Sequence, residues 1–177
     1  IGFGGRAMGN GSPKYLNSPD TPLFDKGRSL YNFDLAAGTA RRTGSLVIVE
    51  GYMDAIALDS AGIDQVVAPL GTAITEHQLE SAWKVAPCPV LLLDGDNAGK
   101  KAALRAAERA LPLVGASRSL RIAHLPDGMD PDDYAKKHGK SGVVAVLKDA
   151  VPLSRFLWNT VIDEMPASTP EERSAIK

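Results

Sequence analysis

Asp94 and Asp96 stand two residues apart where the apolar run "VLLLDGD" ends. Glu50 closes a second apolar run, "LVIVE", and Asp127, Asp130, Asp132 and Asp133 crowd the stretch "LPDGMDPDD". In extended chain, residues i and i+2 lie on one face about 7 Å apart, a spacing that suits one shared cation or two adjacent ones. Two carboxylates that close repel each other unless a cation compensates. A charge ending a buried strand, as Glu50 does, needs a partner as well. Carboxylates without His or Cys favour Mg²⁺ or Mn²⁺ over zinc. Two such ions can clamp the attacking and leaving oxygens of a phosphoryl or nucleotidyl transfer. Taken singly, Asp59, Asp64 and Asp127 read as helix caps or turn formers.

Two other chemistries compete for the same residues. "DGDNAGKK" contains a Gly-Lys pair, but a phosphate loop needs glycine where Asp94 stands and Ser or Thr where Lys101 stands. A phosphoacceptor switch domain also gathers acids at strand ends. It needs a lysine at the end of a late strand, and "RIAHLPDG" offers His124 and Asp127 instead.

The elements that must position these acids alternate. "LVIVE", "QVVAPLG", "PVLLLDGD" and "SLRIAHLP" read as strands, apolar throughout. Between them come a helix closed by Gly62, a helix with Thr75 as N-cap, and a helix from Asn97 to Leu111 stopped by Pro112. The expected fold is α/β: a parallel sheet covered by helices on both faces, with ligands at the carboxyl ends of the strands. Residues 1–35 read as loops with short strands at best, "AAGTARRTGS" as a connection, and everything beyond "DPDDYAKKHG" as helical. On the helix after Asp96, Lys100, Lys101, Arg105, Glu108 and Arg109 form a stripe expected to be mostly solvated. Tyr15, Leu16 and Leu23 are expected to pack the N-terminal arm onto the sheet.

The chain has 177 residues and a net charge of −1. Residues 44–135 carry seven Lys/Arg against thirteen Asp/Glu, whereas residues 1–43 carry six against three. An acidic centre beside a basic arm suits a cation-loaded site with phosphate-binding groups nearby. The single cysteine, Cys88, excludes internal disulfides and cysteine-pair zinc sites, and fits a reducing compartment. No apolar run reaches the roughly 18–20 residues of a membrane helix, so no membrane partner is expected. The start without Met and the last residues, which begin a helix, lead us to expect a piece of a longer chain.

"VIVEGYMDAIAL", "PLGTAIT", "LLLDGDNAGKKAA" and "LPDGMDPDDY" together resemble the Toprim domain of bacterial DnaG-type primases. The upstream "GFGGRAMGNGSPKYLNSPDTPLFDKGRSLYNF" resembles the basic segment that precedes Toprim in that family. The resemblance implies synthesis of short RNA primers from ribonucleoside triphosphates on single-stranded DNA, yielding an RNA–DNA hybrid. It assigns Glu50, Asp94 and Asp96 as catalytic metal-site acids and Asp130 and Asp132 as further metal acids. It assigns Arg6, Lys14, Asn17 and Lys26 to template or nucleotide, with Tyr15 in the same motif. Zinc is expected only in an upstream module outside this sequence, and contact with the replicative helicase only through a C-terminal domain also outside it. The expected division is residues 1–43, end of a basic subdomain; 44–139, Toprim; and 140–177, start of a helical subdomain. A bacterial cytoplasmic, nucleoid-associated, monomeric fragment is implied. The other readings are another Toprim enzyme, of nuclease or topoisomerase type, and the phosphoacceptor domain.

Overall fold

The computed structural model describes residues 1–7, 15–126, 128–164 and 169. Lys14 and Asp127 lie outside the described residues, as does the side chain of Tyr15. The arm begins with an antiparallel hairpin, β1 (Gly4–Arg6) paired with β2 (Tyr15–Asn17). Helix α1 (Phe33–Thr43) follows, then β3 (Val47–Ile48), α2 (Tyr52–Ser60), β4 (Val66–Val67) and α3 (Glu76–Trp83). Next come β5 (Val90–Leu93), α4 (Asn97–Ala110), β6 (Arg121–His124), α5 (Pro131–Lys148), β7 (Val151–Pro152) and α6 (Leu153–Glu164).

Strands β3 to β7 form one sheet in the order β4-β3-β5-β6-β7, parallel except for β7. Successive strand side chains point to opposite faces, and both faces are covered, which is why β3, β4 and β5 are apolar at every position. Leu91 and Leu93 join a layer with Ile48 and Val67, closed by alanines of α1 and α4 and by Leu79 of α3. Val90 and Leu92 join the opposite layer with Val47 and Val49, closed by Leu58 of α2 and Ala135 and Val143 of α5. All the parallel strands therefore end on one edge, and that edge carries the acids.

Three expectations are corrected. "AAGTARRT" is helix, not connection: Ala36, Ala37 and Ala40 are buried against the sheet, and Gly44 ends α1 at φ 70° with its N–H on Ala40 O. Burial of this alanine face overrides the turn-like Gly and Thr of the segment. The chain beyond residue 139 is not wholly helical. β7 pairs antiparallel with β6, and Arg121 donates to the carbonyls of Lys148 and Ala150 to hold it there. A two-residue strand containing Pro152 shows no period, and proline is tolerated because β7 is an edge. Leu16 and Leu23 do not pack onto the sheet; they are 69% and 78% exposed, and Phe24 is the buried residue of that segment. The expected caps hold: Thr75 accepts from Gln78 N, and Gly62 follows α2 at φ 89°.

Candidate metal centre

Glu50 lies two residues beyond β3, and its Oε1 accepts from Asp94 N at 3.4 Å, so the ends of β3 and β5 are tied together by an acid. Asp94 follows β5 directly. Its Oδ1 is buried with no hydrogen-bond partner, a cost that a native site sustains only for a reason. Gly95 N donates to Met129 O at 3.0 Å, drawing the loop that precedes α5 down onto the end of β5. A Cβ on Gly95 would lie 2.0 Å from Pro126 O, and one on Gly99 would lie 2.3 Å from Asp94 O. The glycines of "DGDNAG" therefore serve close backbone approach around Asp94.

Asp96 is the N-cap of α4, its Oδ1 accepting from Gly99 N at 2.7 Å. Asp130 caps α5 in the same way, accepting from Asp133 N at 2.8 Å. Each cap occupies one carboxylate oxygen. Asp132 pairs with Lys136 at 2.6 Å across one turn of α5. A residue missed in the sequence joins them: Asp54, in the first turn of α2, whose Oδ2 accepts from Gly51 N at 3.1 Å. Its signal was an acid four residues after Glu50, which a capping-box reading accounts for equally well.

Burial pushes the Asp94 carboxyl up to about 7, with the charges of Glu50, Asp54, Asp130 and Asp96 adding to the effect. Burial pushes Asp54 up to about 6, reinforced chiefly by Asp130. Glu50 is raised as well, by burial first, opposed by its bond from Asp94 N and by the more distant Arg105. Crowded, half-buried acids with raised values mark a site that lacks a counter-charge. Among the described residues, no three His, Cys, Asp or Glu side chains converge closely enough to enclose an ion. The orphaned Asp94 Oδ1 and the mutual repulsion around it nevertheless fit a divalent cation, which would supply the charge this edge lacks.

The arm is fastened to this domain through polar atoms. Gln78, fully buried, donates to Lys26 O at 2.9 Å and Ser29 O at 2.8 Å, while its Oε1 accepts from Thr75 N. Thr75 Oγ1 donates to Gly27 O, and Tyr52 Oη donates to Gly5 O at 3.3 Å. Asn17 sits between β1 and the turn at Gly71, its Oδ1 buried without a partner. Arg6 is exposed on β1, and Lys26 is half-buried with its backbone N–H bonded to Asp20. Arg109 is exposed, as expected of that stripe, and its guanidinium also donates to the carbonyls of Ala73 and Ile74.

Residues 44–122 match the family model of the Toprim domain, and residues 1–37 match that of the DNA primase catalytic core, N-terminal domain. The fold with its acid edge is thus of the Toprim class. The chain is 44% identical to the DNA primase of Escherichia coli K12 over 176 residues, 99% of this chain and 30% of that protein. It is 39% identical to the DNA primase of Rickettsia felis over 177 residues, 100% of this chain and 30% of that one. Among solved structures, it matches the E. coli primase catalytic core with TM-score 0.90 at 45% identity, covering 98% of this chain and 56% of that one. A DnaG primase catalytic domain bound to single-stranded DNA matches with TM-score 0.89 at 44% identity, with the same coverage. The chain belongs to the DnaG-type primase family and corresponds to part of its catalytic core; it spans about a third of the curated relatives it matches.

Proposed function

We propose that this chain is the metal-binding part of a DNA primase core, joining ribonucleotides into short RNA primers on a single-stranded DNA template. The observation that carries the reading is the acid edge itself: the charges of Glu50, Asp54, Asp96 and Asp130 bear on Asp94, whose Oδ1 is buried without a partner. The resident ion is Mg²⁺ or Mn²⁺, held by Asp94 and Glu50 with Asp96 and, from α2 and α5, Asp54, Asp130 and Asp132. When bound, it supplies Lewis-acid stabilisation to the phosphates of a nucleoside triphosphate. Glu50, bonded to the backbone of Asp94, orients the end of β5 and is placed to accept a proton there. Arg6, Lys14, Asn17 and Lys26 contact template or nucleotide phosphates.

The remaining assignments rest on this reading. They are the division at residues 43 and 139, a monomeric fragment, a bacterial cytoplasmic setting near the nucleoid, and an RNA–DNA hybrid product. A zinc module and a helicase-docking domain lie elsewhere in the parent protein. The fragment binds ion and nucleotide but makes primers poorly, because the parts that hold two substrates in line are shared with those regions. The test is a template-directed assay with labelled ribonucleotides on single-stranded DNA, comparing the parent protein, its Asp94→Ala variant and residues 1–177. Primer synthesis lost in the variant supports the reading. Degradation of the DNA would assign the site to Toprim nucleases, and stable phosphorylation of Asp94 without polymerisation would assign it to a phosphoacceptor.

A further inference from the structure

A cavity of about 230 Å³ opens beside Glu50, between the turn at residues 69–74 and α4. Its floor is apolar, formed by Leu91, Leu93 and Ile74, and its rim carries Glu50, Thr72 and Arg105. At this size it lies below the roughly 300–1,000 Å³ of pockets that enclose a whole ligand, so it admits part of a molecule seated on the acid edge. Arg105 and Arg109 lie one turn apart on α4 and are used differently. Arg109 is spent on two carbonyls of the turn, fixing that wall of the cavity. Arg105 is exposed, and among the described residues it makes no hydrogen bond and no ion pair. Its charge reaches Glu50, yet the two groups stand apart across the rim rather than in contact. Lys136 is already paired with Asp132. Arg105 is therefore an uncommitted cation facing the acid edge, with open space in front of it. A guanidinium in that position matches phosphate oxygens in a bidentate way that a lysine cannot.

We propose that Arg105 is a phosphate-binding residue of the nucleotide site, contacting the triphosphate of the incoming nucleotide from the side of the cavity while the acids hold the cation. This rests on the primase reading above and adds to it a residue outside both the acid cluster and the basic arm. The contact belongs to nucleotide binding, so its loss appears in nucleotide affinity and KM more than in kcat.

The experiment is calorimetric titration of a ribonucleoside triphosphate with Mg²⁺ into the full chain, beside titration of Mn²⁺ alone, for wild type, Arg105→Ala, Arg105→Lys and Lys101→Ala. Lys101 is exposed one turn earlier on α4 and off the rim, and it controls for the general field of the helix. Arg105→Ala should weaken nucleotide binding roughly ten-fold or more, the effect of one lost charge-assisted hydrogen bond. Arg105→Lys should recover only part of it, and Lys101→Ala and Mn²⁺ affinity should stay near wild type. Unchanged nucleotide affinity in Arg105→Ala, or an equal loss in Lys101→Ala, would overturn the inference. Loss of Mn²⁺ binding in Arg105→Ala would overturn it too, since Arg105 would then act through the acids. Failure of the wild type itself to bind Mn²⁺ would instead sink the primase reading beneath it.

Discussion

The Gln78–Thr75 network that fastens the arm to the sheet and the acid edge of that sheet treat polar atoms in opposite ways. At the seam, buried Gln78 uses both amide hydrogens and its oxygen, and Thr75 both donates and accepts. At the edge, Asp94 Oδ1 is buried with nothing to bond, and three carboxyls are held above their ordinary range. A satisfied polar network fixes geometry. An unsatisfied one is retained where a ligand completes it. The first region positions the arm, and the second carries the unbalanced negative charge that a divalent cation would offset.

Substitutions should separate the two regions cleanly. The largest effect is expected for Asp94→Ala with Asp96→Ala: primer synthesis by the parent protein should fall roughly 10³-fold or more, the scale of removing electrostatic transition-state stabilisation. The circular dichroism spectrum should be unchanged. A seam variant should do the reverse. Gln78→Leu strands Thr75 N and the carbonyls of Lys26 and Ser29, and should cost about 2–4 kcal/mol in denaturant unfolding while leaving Mn²⁺ affinity intact. If Gln78→Leu abolished ion binding at unchanged stability, the contrast between the regions would collapse. Lys26→Ala tests the arm: the log–log salt slope for single-stranded DNA should fall by about 0.7 for a lost phosphate contact, and an unchanged slope would remove Lys26 from the interface.

The smallest effect expected is one of pH. Asp94 binds its proton more tightly in the folded chain, at about 7, than at the ordinary 3.8. Between those values the native state holds more protons than the unfolded one, so stability falls as pH rises and levels off above about 7. Asp54 adds the same sign up to about 6. Thermal melts of the ion-free chain should follow this slope, and Asp94→Asn should flatten it and raise the midpoint slightly at neutral pH. A melting temperature that rose from pH 4 to 7 would contradict the crowding of these acids.

Much of this edge was legible in the residues. Continuous apolar runs ending in Glu50 and Asp94 announced a sheet covered on both faces with acids at one end, and Thr75 and Gly62 marked their helix boundaries. What escaped was whatever depends on packing from elsewhere in the chain. Helix α1 forms because its alanines find the sheet, which nothing local in "AAGTARRT" foretells. Strand β7 exists because Arg121 reaches two carbonyls near it. Asp54 stands in the first turn of α2, where an acid needs no further explanation, and only the approach of the Asp130 loop, drawn in by Gly95, makes it part of the cluster. Leu16 and Leu23 carry apolar side chains but face outward.

The central claim, that the acid edge is completed by a divalent cation, is tested most directly by calorimetric titration of Mn²⁺ in two buffers of different ionisation enthalpy. At about pH 6.5, ion binding should displace the proton that burial, reinforced by the neighbouring acids, holds on Asp94, so the wild type should release protons as it binds. Asp94→Ala with Asp96→Ala should bind Mn²⁺ far more weakly and without that release. Wild-type affinity in the double variant, or binding with no proton release in the wild type, would contradict the account.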